Sequence, residues 1–238
     1  MRFKEFIDID SLRHAKIEEK PVKNYKGDYK NLDIAKPSSN GSDKTYQELN
    51  DMQDMFKDRN EVIEKSVKDH DDQVGYAVKK YLDDNNLEYK ESDIDKIAEI
   101  GSGIVRYYKN KFERVRPYQL AEALNMKFDH MPLDSDSMKS PAYPSGHSLQ
   151  SRLIAEYYAE QYPEHRKGLI AGAEECGKGR IYAGWHYPSD HTASVKLAKQ
   201  IYPNITMRKT FKESIIDIPR RTYAPKVFDD ADTKDPKI

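Results

Sequence analysis

Apolar residues in this chain recur at sums of three and four positions, and no stretch of convincing length shows the strict alternation of a half-buried strand. Leu49, Met52, Phe56, Ile63 and Val67 make one such run, beginning near Asp43 and broken by the Asp83-Asp84-Asn85-Asn86 segment. Ile94, Ile97, Ile104, Val105, Tyr108 and Phe112 share one face of a second helix, predicted over 93–114 with Ser92 as its N-cap. That helix must stop near Arg116-Pro117, because proline disfavours helical backbone at its predecessor. Three more helices are predicted over 146–161, over 164–180 behind Pro163, and over 188–202 with Pro188 in the first turn. The chain reads as all-α, a compact helical bundle core with an additional helical N-terminal region.

Three segments follow from that pattern. Residues 1–90 form an N-terminal helical region, turn-rich up to about 44, that suits a lid or an assembly surface. Residues 91–210 form the core, and 211–238 a charged tail. The 238 residues suffice for one good core. A net charge of −1 argues against a nucleic-acid partner, and no apolar run approaches the length of a membrane span. Cys176 is the single cysteine, so no intrachain disulfide can form. Charges interrupt every apolar stretch of the first twenty residues, unlike a signal peptide, so a cytoplasmic location is expected. A cleaved leader would make it periplasmic instead. Whether the chain forms a homo-oligomer is left open.

Chemistry concentrates in three places. In YYKNKFERVRPYQL, Lys109 precedes Arg116 by seven positions, nearly two helical turns, so both can lie on one face. In PAYPSGHSLQSRL, Pro144-Ser145-Gly146-His147 opens a helix. Its free N–H groups and partial positive charge suit an anion, Ser145 can cap it, and Gly146 allows close backbone approach. In GKGRIYAGWHYPSDH, Arg180 precedes His186 by six positions and Asp190 follows His186 by four. Across a turn opened by Pro188, that spacing can set a carboxylate on the imidazole Nδ1–H and leave Nε2 free as a nucleophile. Each segment alone also reads as ordinary structure: a solvated basic face, a capped helix start, a surface His–Asp pair. A metal site from His186, Asp190 and His191 is disfavoured by the neighbouring arginines.

Together and in this order, Lys-x6-Arg-Pro, Pro-Ser-Gly-His and Arg-x5-His-x3-Asp resemble the three-part signature of the type 2 phosphatidic acid phosphatase / vanadium haloperoxidase superfamily. Over about 100–202 the chain is most like the soluble bacterial class A non-specific acid phosphatases. The resemblance implies an all-helical core and a metal-independent phosphomonoesterase acting on small phosphate esters. It implies His186 as the nucleophile that becomes phosphohistidine, Asp190 as its orienting partner and His147 as the acid for the leaving group. It further implies that Lys109, Arg116, Ser145, Gly146 and Arg180 hold the phosphate, with no cofactor. Vanadate is expected as an inhibitor. One departure stands out: Gly179 occupies the place of the family's usual serine before the third-motif arginine.

Three other readings compete. A vanadate-dependent haloperoxidase would take vanadate as its cofactor, although such chains are typically much longer. The Asp69-His70-Asp71-Asp72 run hints at metal-dependent phosphohydrolase chemistry but reads better as a solvated helix face. A non-catalytic phosphate-binding or structural protein would have no need of His147, His186 and Asp190 together. Pocket walls are expected from 1–90, from the 118–143 loop, and from Tyr182, Trp185 or Tyr187. Nearby cations favour a neutral His186 while Asp190 favours its charged form, so the net shift is left open.

Overall fold

The computed structural model describes residues 8–132 and 136–207, and among these there is no strand; Tyr25 and Ile205 form an isolated bridge. The all-α expectation therefore holds. The predicted 211–238 tail and residues 208–210 lie outside the described residues. Among the described residues no helix is long and apolar enough to cross a membrane.

The N-terminal run divides into three helices, α1 (Asp43–Phe56), α2 (Glu61–Asp72) and α3 (Tyr76–Asp84). Ser42 caps α1 through Thr45 N–H, and Asn60 caps α2 by accepting from the Val62 and Ile63 amides. The second predicted helix is α4 (Glu91–Phe112); its N-cap is Lys90, and Ser92, expected as the cap, is the second residue of the helix. It ends four residues before Arg116 because Glu113 turns left-handed at φ 49° and returns its N–H to the Lys109 carbonyl. Pro117 then opens a short helix, α5 (Pro117–Ala123), inside what the sequence suggested was loop. The last three are α6 (Gly146–Gln161), α7 (Arg166–Tyr182) and α8 (Pro188–Ile201), each within two residues of its predicted bounds.

α6 is the centre of the bundle. Leu149, Leu153, Ile154, Ala155 and Tyr158 are all essentially inaccessible, and α4, α7 and α8 surround it. α3 packs closely on α7, where a β-carbon at Gly172 would come within 3.1 Å of the Ala77 and Val78 backbones. Before α1 the chain runs across α4 and α8 with only two short 3-10 turns, Ile9–Ser11 and Tyr29–Asn31. His14 N–H bonds the Glu113 carbonyl, Ile17 exchanges two bonds with Asn110, and Asp33 exchanges two with Gln200. This strap carries Ile17 to the mouth of the cavity described next.

Candidate active site

Lys109, Arg116, Gly146, His147 and His186 come from four separate parts of the fold and wall one cavity of about 400 Å³. Lys109 sits in the last turn of α4, and Arg116 caps α5. Gly146 and His147 are the first two residues of α6, whose opening amides have no intrahelical acceptor. His186 lies in the short turn between α7 and α8. That turn closes because Gly184 adopts φ 77°, and the Arg180 carbonyl accepts from both the Trp185 and His186 amides.

Hydrogen bonds around His186 fix its tautomer. An Arg116 guanidinium can only donate, and its Nη1 is 3.1 Å from His186 Nε2, so Nε2 is the acceptor. The ring proton is therefore on Nδ1, 3.1 Å from Asp190 Oδ2. Asp190 is the third residue of α8. Its carboxylate also accepts the Tyr187 N–H at 2.9 Å, so the group that orients His186 closes the helix start as well. Burial pushes His186 well below the usual histidine range, reinforced by Arg116, Lys109 and Arg180. The balance left open by the sequence thus falls to the neutral imidazole.

The remaining cations are packed tightly. Arg116 donates through Nε to the Ser140 carbonyl at 2.9 Å and through Nη1 to the Trp185 carbonyl at 2.9 Å. Lys109 donates to the Pro141 carbonyl, and burial, then the Arg116 charge, holds its ammonium well below the usual lysine range. His147 is likewise held well below the usual range by burial, then by Arg180, His186, Arg116 and His70. Several like charges close together in a buried space disfavour one another, and an anion placed among them would reverse that.

Ser145 and Arg180 stand outside the cavity wall. Ser145 caps α6, its Oγ accepting from Ser148 Oγ at 2.9 Å, and its carbonyl accepts from Ser194 Oγ of α8 at 2.7 Å. Arg180 lies over the Trp185 ring at 4.3 Å, and its Nη2 meets Asp71 Oδ1 at 2.6 Å. Of the expected aromatic walls, Trp185 and Tyr187 are buried beneath the site; Ile17, Lys139 and Ser140 wall it in their place.

Two residues that the sequence reading passed over, Arg114 and Glu48, and one that it read as solvated, Asp71, support this site. Arg114, in the quoted RVRPY, is buried and donates from Nη1 to Asp190 Oδ1 at 2.6 Å, from Nη2 to Glu48 Oε2 at 3.0 Å, and stacks 3.7 Å above the Tyr187 ring. Glu48 of α1 completes the chain by accepting from the Ser189 amide at 2.7 Å. Asp71 lies in the run taken for a solvated face. That expectation is overturned for His70 and Asp71. His70 is 1% exposed with its Nδ1–H on the Ser66 carbonyl at 2.7 Å, and Asp71 points at Arg180, because α2 packs this face against α7. His191 is turned away to Glu174 at 2.9 Å rather than joining His186 and Asp190.

Residues 97–199 match the family model of the PAP2 superfamily. The non-specific acid phosphatase of Providencia stuartii is 26% identical over 122 residues, 50% of this chain and 47% of the relative. That of Salmonella typhimurium is 27% identical over 114 residues, 46% of this chain and 43% of the relative. The matched stretch thus spans less than half the length of these curated relatives. Among solved structures, a transmembrane PAP2 type phosphatidylglycerolphosphate phosphatase from Bacillus subtilis superposes with a TM-score of 0.44 at 20% identity, covering 74% of this chain and 89% of that one. Every residue from Lys109 to Asp190 that converges in space falls inside residues 97–199, the stretch, less than half of the chain, that matches the PAP2 superfamily model.

Proposed function

We propose that the protein is a metal-independent phosphomonoesterase that hydrolyses small phosphate esters through a phosphohistidine on His186. The observation that carries this reading is the pairing of a neutral His186, Nδ1–H on Asp190, with the Arg116 fork at its Nε2. A phosphoryl group drawn to Arg116 arrives at the nitrogen that attacks it.

Phosphoryl transfer is mainly positioning and charge stabilisation. Lys109, Arg116, Arg180 and the α6 N-terminus would hold the phosphoryl oxygens, the arginines as forks and the lysine as a point charge. The Nε2 lone pair forms the N–P bond as the ester P–O bond breaks, and His147 gives its proton to the leaving oxygen. Water then attacks phosphorus, loses its proton to His147, and the N–P bond breaks. Asp190 stabilises the imidazolium that exists between the two steps. Bound phosphate supplies the negative charge that lets Lys109 and His147 take up protons.

The test is a screen of phosphomonoesters for phosphate release, with and without EDTA, and with His186→Ala beside the parent. Turnover that survives EDTA and vanishes with His186 is expected. An enzyme silenced by EDTA and restored by added metal would overturn the reading, as would bromide oxidation with vanadate in place of hydrolysis.

A further inference from the structure

A carboxylate beside an anion pocket works against the anion, so Asp71 needs a reason to be there. It projects from α2, outside the stretch matched to the family, with only 12% of its side chain exposed. Its Oδ1 is 2.6 Å from Arg180 Nη2 and 3.9 Å from His147 Nε2. The second distance is too long for a hydrogen bond but well within the range in which opposite charge favours protonation. His147 Nε2 is buried and has no hydrogen-bond partner among the described residues.

The charged groups around His147 come from every element packed on it. α2 supplies His70 and Asp71, α4 supplies Lys109, and the start of α5 supplies Arg116. α7 supplies Arg180 and Cys176, whose thiol meets the His147 carbonyl, and the α7–α8 turn supplies His186 with Asp190 behind it. Asp71 is the carboxylate in this set that faces His147; Asp190 is already committed to Arg114, Tyr187 and His186. Without a phosphoryl group, burial and then the surrounding cations hold His147 in its neutral form. Once phosphoryl oxygens compensate Arg116, Lys109 and Arg180, the phosphate and Asp71 charges act together on His147 against the cost of burial.

We propose that Asp71 is a positioning residue for the acid step: it holds the Arg180 fork in place and keeps His147 protonated until the leaving group departs. This rests on the functional reading above. It gives the two histidines parallel partners, Asp190 orienting the nucleophile and Asp71 charging the acid.

Asp71→Asn separates this from a purely structural strut. Kinetics as a function of pH are compared for glycerol 2-phosphate, a poor leaving group, and p-nitrophenyl phosphate, a good one. We expect kcat to fall about tenfold or more for the alkyl ester and less than about threefold for the aryl ester. The alkaline limb of the alkyl profile should move down by about one pH unit, and inhibition by phosphate should tighten because a repelling charge is gone. Asp71→Glu should restore the limb. Equal losses on both substrates with an unmoved limb and weaker phosphate inhibition would overturn the proposal and leave Asp71 as a strut for Arg180. If Asp71→Asn does not fold, or the parent hydrolyses no phosphomonoester, NMR titration of His147 in the parent decides. Saturating phosphate should raise its pKa by one unit or more, and an unchanged value overturns the proposal.

Discussion

Replacing Asp190 by Asn changes the chemistry of one terminal atom and the position of none. All three groups facing the carboxylate are donors: Arg114 Nη1 at 2.6 Å from Oδ1, and the Tyr187 amide at 2.9 Å and His186 Nδ1 at 3.1 Å from Oδ2. An asparagine amide accepts at one end only. Turning its NH2 toward Arg114 would set donors against each other beside a buried cation, so the oxygen keeps Arg114 and the NH2 faces His186. Nδ1 must then accept, the ring proton moves to Nε2, and the attacking lone pair is lost. The new Nε2–H would also confront Arg116 Nη1, now 3.1 Å away. A wrong-tautomer histidine lowers kcat by about 10⁴ in the best-studied triad, and a loss of about 10³–10⁴ is expected here. Stability falls as well. One charge-assisted hydrogen bond to Arg114 is weakened, about 1.5–3 kcal/mol, and the buried Tyr187 amide faces the new NH2 in place of its acceptor, about 1–3 kcal/mol more, while Glu48 at 3.0 Å still neutralises the guanidinium. For a chain of this size that lowers Tm by about 5–24 °C. Phosphate release and a thermal melt on the same preparation measure both. A variant that melts in that range yet keeps more than about a tenth of the parent kcat would refute the tautomer argument.

His147 and His186 are held below their unfolded-state pKa, so as pH drops through about 6.5 the unfolded chain binds protons that the folded chain does not. The ligand-free Tm should therefore fall from pH 7.5 to pH 5, and sulfate, by compensating the cations, should shrink that fall; a flat profile contradicts the burial argument. For the same reason sulfate binding at pH 8 should take up protons on Lys109 and His147, read by calorimetry in two buffers of different ionisation enthalpy, and no buffer dependence would count against it. His147→Ala should spare p-nitrophenyl phosphate more than an alkyl phosphate, because a good leaving group needs less protonation; equal losses would remove His147 from the acid role. Gly179 lies within α7, and a β-carbon there meets Val67 Cγ2 at an ordinary 3.4 Å, so Gly179→Ser fits without strain. It should leave Tm undiminished and tighten vanadate inhibition about fivefold, the roughly 1 kcal/mol of one hydrogen bond; weaker inhibition at unchanged Tm would mean no donor site is vacant there.

The helices were legible because burial imposes a period. Leu149, Leu153 and Tyr157 are spaced as one side of α6 must be, and prolines mark where α5 and α8 begin. Helix ends were less legible. α4 stops at Phe112 because Glu113 goes left-handed, a single-residue event with no proline or glycine to announce it. The motif residues could be named from the chain alone because their chemistry is local: His186 and Asp190 are four apart across one turn, and His147 follows its own helix cap.

What the sequence by itself determined was therefore the set of polar groups that gather around one cavity and the helices that carry them. What only the tertiary structure decided was which charges stand behind those groups. Glu48 lies 66 positions before its partner Arg114, and Asp71 lies 109 before its partner Arg180, on helices whose periodicity says nothing about those partners. Asp71 read as a solvated charge because a carboxylate on a polar helix normally is one, and Arg114 read as one more basic residue near Arg116. Packing α1 and α2 against the core took water from both carboxylates, and a buried charge persists only opposite a counter-charge. That pairing is a property of two surfaces meeting, and no single segment of the chain contains it.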